Sequence, residues 1–400
     1  MSLPCPAPGV DSALRFVTDH LVGYVSDDVA ASQRFRGGQE AAELALQRFD
    51  VTGYAARRNE VYPQERRGAS QLSPYIRHGL LPLRRVWDHV AVGPPKDVRK
   101  FRDELLWQEF ARHWYARHGR HSGVGLRREQ AAALAAEAEH GWDRTMACIN
   151  VSVNELERDG WLVNQTRMWL ASHWSVRQSL DWRAGEDYFF AHLLDGSRAA
   201  NRLGWQWTSG VGSAKPYGFS RWQVEKRAPG LCDGCVHRDA CPIQQWPPDA
   251  EFQLVSGLAE SASLVGPLVC TTFEDPEAVW LTAESLGTDD PALAANPELP
   301  AVFVFDTPLL RTLRLSSKRL VFLVESLAEL GATRPVELHA GDPKTVLQGR
   351  ALAVTHAPVP GFAQRASKLR LASTHPWPWL VSPTGGSVRS FSAWRKSVGA

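Results

Sequence analysis

The sequence predicts two unlike folding units in series: an all-helical N-terminal domain over residues 1–250, and a C-terminal α/β domain with a Rossmann-like parallel sheet over residues 279–400. A linker at 251–278 joins them. Three observations predict this. Up to about residue 250 the apolar residues recur at helical spacing and no run alternates like a strand. After QQWPPDAEF the grammar changes to short β-branched or aromatic runs alternating with helical stretches, the pattern of a parallel sheet. Between the two the chain is mixed in character and punctuated by proline.

In the first half, FRDELLWQEFARHWYARHG (101–119) places Leu105, Leu106, Phe110 and Trp114 at helical spacing. REQAAALAAEAEHGW (128–142) is dense in strong helix formers and is expected to be a second helix. In the second half VWLT, AVFVFD, VELHA and ALAVTHA read as strands. SSKRLVFLVESLAELG (316–331) reads as a helix that Ser316 or Ser317 caps and Gly331 ends.

A chain of 400 residues has room for two cores, and 44% hydrophobic with 22% charged residues describes an ordinary globular protein. Its apolar runs fall short of the roughly 18 residues that span a bilayer. MSLPCPAPGVDS lacks a basic stretch followed by an apolar one, so the expectation is a cytoplasmic chain with no membrane partner.

The net charge of +2 announces no polyanion partner, but its distribution is uneven. Arg57, Arg58, Arg66, Arg67, Arg77, Arg84 and Arg85 face only Glu60 and Glu65, which suits either phosphate contact or a solvated helical face. Sixteen tryptophans suit core packing, a stacking pocket or an electron-transfer route.

GASQLSPYIRHG (68–79) brings Ser70 and Ser73 ahead of a helix start with Pro74 in its first turn, a phosphate cradle or a plain N-cap. Among six cysteines, Cys232-x-x-Cys235-x5-Cys241-Pro has the spacing of iron–sulfur ligation. Cys148 is the candidate fourth ligand, and zinc held by the same thiolates is the alternative.

ELLWQEF (104–110), DGWLVNQTRMW (159–169), LDWRAGEDYF (180–189) and LLDGSRAANRLGWQWTSG (193–210) occur in an order that resembles the FAD-binding domain of the DNA photolyase and cryptochrome family. The likeness covers about residues 37–247. It implies an FAD held by Tyr54, by the loop Ala69, Ser70, Gln71, Leu72 and Ser73, by Phe101 and Gln108, and by Asp195, Gly196 and Ser197. Asn201 would lie near flavin N5. Family members usually carry Asp, Arg and Trp where this chain has Ser197, Gln108 and Phe101.

The resemblance further implies a lesion pocket of Glu104, Trp107, Asn164, Met168 and Trp207, with Arg58, Glu104 and Gln165 meeting UV-damaged DNA. Trp205 and Trp182 match the inner members of an electron-transfer chain, whose third member is Trp142 or Trp246. The cysteines are similar to those of the bacterial branch with a [4Fe-4S] cluster. The implied activity is light-driven splitting of cyclobutane pyrimidine dimers by a monomer. A cryptochrome-like light sensor and a (6-4) photolyase are the alternatives.

Residues 279–398 resemble the family's α/β domain, which normally comes first and can hold an antenna chromophore. VWLT matches its first strand, and RSFSAWRKS resembles its closing segment. The order of domains is then circularly permuted, and a second chromophore, of identity unknown, is a further expectation.

Overall fold

The computed structural model describes residues 1–130, 141–247, 252–254 and 264–399. Its nine strands are β1 (Ser2–Leu3), β2 (Arg128–Gln130), β3 (Phe252–Leu254), β4 (Thr271–Thr272), β5 (Ala278–Leu281), β6 (Ala301–Asp306), β7 (Val336–Gly341), β8 (Leu352–Thr355) and β9 (Leu371–His375). Seven of them form one sheet in the order β1-β7-β6-β5-β8-β9-β4. Strands β5 to β9 are parallel, with Val279 opposite Ala301 and Val302 opposite Glu337. The edge strands β1 and β4 run antiparallel to their neighbours. All four residues of β5 are buried, which is why the central strand reads as an unbroken apolar run rather than an alternation.

The principal helices are α1 (Val10–His20), α2 (Pro95–His118), α3 (Ala147–Asp159), α4 (Asn164–Ser172), α5 (Trp182–His192), α6 (Ala200–Ser209), α7 (Arg221–Arg227), α8 (Ser317–Thr333) and α9 (Phe391–Val398). Helix α2 buries Phe101, Leu105, Leu106, Phe110 and Trp114 as its spacing predicts. Helix α8 is buried along most of its length, Lys318, Arg319 and Glu325 included, because it lies between the sheet and the helical part of the chain. Among the described residues no helix is long and apolar enough to cross a membrane.

The first 250 residues are not all helical. β1 pairs with β7, and the amino group of Met1 donates to the Ala340 carbonyl at 2.9 Å. Helix α1 packs on α8, and the Asp27 carboxylate accepts from Ser317 N at 2.6 Å, from the Ser316 hydroxyl at 2.7 Å and from the Lys318 amine at 3.0 Å. The start of the chain is thus built into the C-terminal sheet unit. Asp27, not a serine hydroxyl, satisfies the first turn of α8, and that helix runs past Gly331 to Thr333. Gly331 is needed for space: a Cβ there would press on Cys5 Sγ at 2.7 Å.

Two further expectations are corrected. Arg128–Gln130 form a strand paired with Phe252–Leu254, where a helix was predicted, because a partner strand supplies the backbone bonds. The remainder of that predicted helix, 131–140, lies outside the described residues. The segment 251–278, expected as a linker, contributes β3 to this small pair and β4 to the edge of the main sheet.

Candidate flavin site and DNA-facing pocket

Ser73, Gln108, Asp195, Ser197 and Asn201, all expected at a cofactor site, line one cavity of about 310 Å³ between the helical part and the sheet. The cavity extends to the carboxyl ends of β5 and β6, where Thr282 and Asp306 lie, the usual place for ligands in an open parallel sheet. Asp195 is buried and paired in two places with Arg167, at 2.7 and 3.1 Å. Gly196 has no room for a Cβ, since the Leu193 and Phe190 carbonyls lie 2.8 Å from where it would stand. The Ser197 hydroxyl accepts from Ala199 N at 3.1 Å and so shapes the entry to α6, a task within reach of Ser as well as Asp.

Around this cavity stand Arg77, Arg112, Arg167, Arg198 and Arg319. Arg77 pairs with the buried Glu284 at 2.6 Å. Burial, opposed in part by Asp195 and Glu284 and reinforced by Arg77, pushes the Arg319 guanidinium down to about 9. Burial likewise takes Arg112 down to about 10, with Glu109 opposing. Arg167 is paired with Asp195 and Arg198 with Glu186 and Asp187, so Arg112 and Arg319 are the cations left to favour an anionic ligand. Of the five, sequence reasoning named only Arg77, because the others come from distant segments. The basic pair Lys318-Arg319 in the first turn of a largely apolar helix was the signal available.

Asn201 supplies a sharper test of fit. Its Nδ2 is shut off from solvent and has no hydrogen-bond partner among the described residues, a state that costs about 1–3 kcal/mol unless a ligand acceptor completes it. A buried donor at the mouth of a cation-rich cavity fits the polar edge of a flavin and the diphosphate of FAD.

Other expected cofactor residues are placed differently. Tyr54 and Phe101 are core residues, ring to ring at 4.9 Å, and burial raises the Tyr54 phenol well above its usual range. In the loop 69–73, Ser70 Oγ accepts from Leu72 N at 3.4 Å, and Ser73 Oγ accepts from Trp161 Nε1 at 3.1 Å. Gln71 sits in the left-handed region at φ 58° and holds Arg34 at 3.3 Å, while Leu72 is wholly buried. Leu72 therefore offers no side chain to a ligand.

On the lesion side, Glu104 lies 2.8 Å from Lys100 and 3.5 Å from Arg58, so these candidates do come together. Trp107 is half-buried against Phe110 at 5.3 Å and Phe391 of α9 at 5.2 Å. Asn164 is exposed, Met168 is half-buried, and Trp207 is exposed with its ring 5.7 Å from Tyr217. Gln165 is not a phosphate contact: it is buried, and its amide donates to the Tyr217 hydroxyl at 2.9 Å. The arginine-rich run also fails to form one basic face. Arg67 pairs with buried Glu155, Arg77 with Glu284 and Arg85 with Glu43, so their charge is spent internally.

Trp182 and Trp205 are buried, as an inner electron route requires. Trp205 meets Phe189 at 5.0 Å, and Phe189 meets Trp142 at 6.1 Å. Trp142 in turn lies 5.1 Å from Tyr188, whereas Trp246 is exposed over Gly218.

All six cysteines are free. The Cys148 thiol is pushed up to about 12 by burial and then by Cys232, Cys241 and Cys235, so the four expected ligands are neighbours. Ala147 N donates to Cys235 Sγ at 3.5 Å. Yet among the described residues no three His, Cys, Asp or Glu side chains are grouped to hold a metal ion. Neither the expected [4Fe-4S] cluster nor its zinc alternative is therefore supported by the described residues.

Residues 101–227 match the family described as FAD binding domain of DNA photolyase. The deoxyribodipyrimidine photo-lyase of Vibrio cholerae is 30% identical over 199 residues, 44% of this chain and 42% of the relative. Cryptochrome DASH of Idiomarina loihiensis is 28% identical over 216 residues, 49% and 46%. The solved archaeal photolyase from Sulfolobus tokodaii aligns at 25% identity and a TM-score of 0.43, covering 53% of this chain and 50% of that one. The chain spans less than half the length of these two curated relatives.

Proposed function

We propose that this protein is a light-dependent DNA repair enzyme that splits cyclobutane pyrimidine dimers with FAD as its bound cofactor. The observation that carries the reading is the orphaned Asn201 amide in an arginine-lined cavity, within the segment that matches the FAD-binding domain. When bound, FAD supplies light absorption and a transferable electron. The chain supplies the rest. The Arg112 and Arg319 side chains hold an anionic cofactor, Arg167 fixes Asp195 beside it, and Asn201 donates to an acceptor on it. Glu104, poised by Lys100 and Arg58, hydrogen-bonds the imide edge of an extruded pyrimidine. Trp107 and Trp207 offer ring faces to splayed bases, Met168 an apolar contact, and Asn164 an exposed amide.

Three finer points belong to the same reading. The chain is circularly permuted relative to its family, supported by the position of the matched segment ahead of β5 and by the pairing of β1 with β7. The cavity's extension to the carboxyl ends of β5 and β6 leaves a place for a second chromophore. A [4Fe-4S] centre at Cys148, Cys232, Cys235 and Cys241 belongs to the same reading on the nearness of the four thiols alone, and iron with acid-labile sulfide in equal amounts is the expected analysis.

The experiment is repair of a dimer-containing oligonucleotide under blue light. Wild type restores the bases, and Glu104→Ala keeps FAD but loses most of the activity. Full repair by Glu104→Ala would overturn the pocket assignment. A wild type that holds FAD and repairs neither dimer nor (6-4) substrate would leave the light-sensor reading.

A further inference from the structure

Of sixteen tryptophans only Trp207, Trp222 and Trp246 are exposed among the described residues, at 42%, 50% and 54%. One short segment, 217–226, ties the three together. Tyr217 sits 5.7 Å from the Trp207 ring. The next residue, Gly218, has no space for a Cβ because the Trp246 ring lies on it. Ser220 and Gln223 then form a capping box that starts α7 and sets Trp222 on its first turn, with the Lys226 amine 5.5 Å from the Trp222 ring centre.

The strip is held in place as well as exposed. The Tyr217 hydroxyl accepts from Gln165 at 2.9 Å and from Gln223 at 3.0 Å, and Arg221 N donates to the Ile243 carbonyl at 2.8 Å. Arg221 pairs with Glu225 at 2.7 Å and Arg227 with Glu60 at 3.0 Å, so Lys215 and Lys226 are the strip's cations without a carboxylate partner among the described residues. Rigid rings beside cations are the means by which proteins stack unpaired bases.

We propose that Trp207, Trp246 and Trp222 form a stacking track for single-stranded nucleic acid leading away from the lesion pocket. Duplex bases already spend their faces on one another, so only unpaired bases can use such rings, while Lys215 and Lys226 meet the intervening phosphates. The proposal rests on the DNA-repair reading for its starting point, since Trp207 belongs to both.

The test measures binding of a labelled, lesion-free oligothymidine and of a lesion-free duplex, in the dark, by fluorescence anisotropy. A dimer-containing duplex is the control. Wild type is expected to prefer the single strand. Trp222→Ala and Trp246→Ala each weaken single-strand binding by about ten-fold, the scale of one lost base stack, and leave duplex binding within about two-fold. Trp222→Phe retains most of the affinity, which separates stacking from loss of fold. Unchanged single-strand binding by both alanine variants overturns the track. If wild type binds the damaged duplex but ignores the oligothymidine, the track fails and the repair reading stands. If it binds no DNA at all, both fail. Self-association lost in Trp222→Ala, with oligonucleotide binding intact, would reassign the face to a second copy of the chain and overturn the proposal.

Discussion

Arg167→Ala removes the partner of a buried carboxylate in the middle of the candidate site. Arg167 grips Asp195 through two bonds, and the Asp195 side chain is almost wholly enclosed while that of Arg167 is about one-fifth exposed. Breaking a buried pair by deleting one partner costs about 3–5 kcal/mol. The residual solvent contact of Arg167 and the nearby Arg319 charge, which still acts on Asp195, lower the expectation to about 2–4 kcal/mol. Urea unfolding of the cofactor-free protein measures this, and a cycle with Asp195→Ala and the double variant should return a coupling of about 1–3 kcal/mol. FAD retention on gel filtration should fall in parallel, because Asp195, Ser197 and Asn201 share the same short segment. A loss below about 0.5 kcal/mol with normal FAD retention would refute the reasoning.

Gly185→Ala places a methyl group against the Trp205 ring, where no space exists. Overpacking of about 1–3 kcal/mol should outweigh the gain of about 1 kcal/mol in helix propensity, and a stabilised variant would show that the ring is free to move. His173 is buried and held down to about 4 by burial, with Asp143 opposing and Arg177 adding to the effect. The unfolded chain then binds more protons between pH 6.5 and about 4, so stability from this residue is complete above about 6.5 and is lost as pH falls. Between pH 7 and 5 wild type should lose about 2 kcal/mol more than His173→Gln, and equal slopes would exclude His173 as the cause. Asp27→Asn should cost about 1–2 kcal/mol by weakening the cap of α8, read as a lower urea midpoint.

The sheet strands were legible because β5 and β6 are continuous apolar runs between turn residues, and α2 because its periodicity is strong. What escaped notice has a common cause: partners far apart along the chain. Asp27 caps a helix some 290 residues away, and β1 is a two-residue strand defined only by its pairing with β7. Arg128–Gln130 sit at the head of a helix-forming run and are nonetheless drawn into a strand by Phe252–Leu254. In the site, Ser73, Asp195, Ser197 and Asn201 could be placed from linear motifs, whereas Arg112 and Arg319 become visible only when the sheet unit closes over them. Gln165 illustrates the opposite failure, a polar residue expected at the surface whose amide is consumed by Tyr217.

The direct test is the visible spectrum of the protein purified from an expressing cell, before and after incubation with excess FAD and removal of free cofactor. The account predicts a flavin band, bound at one FAD per chain, that Asn201→Ala shifts and Arg167→Ala weakens. A preparation that stays colourless and returns all of the added FAD to the filtrate would contradict it.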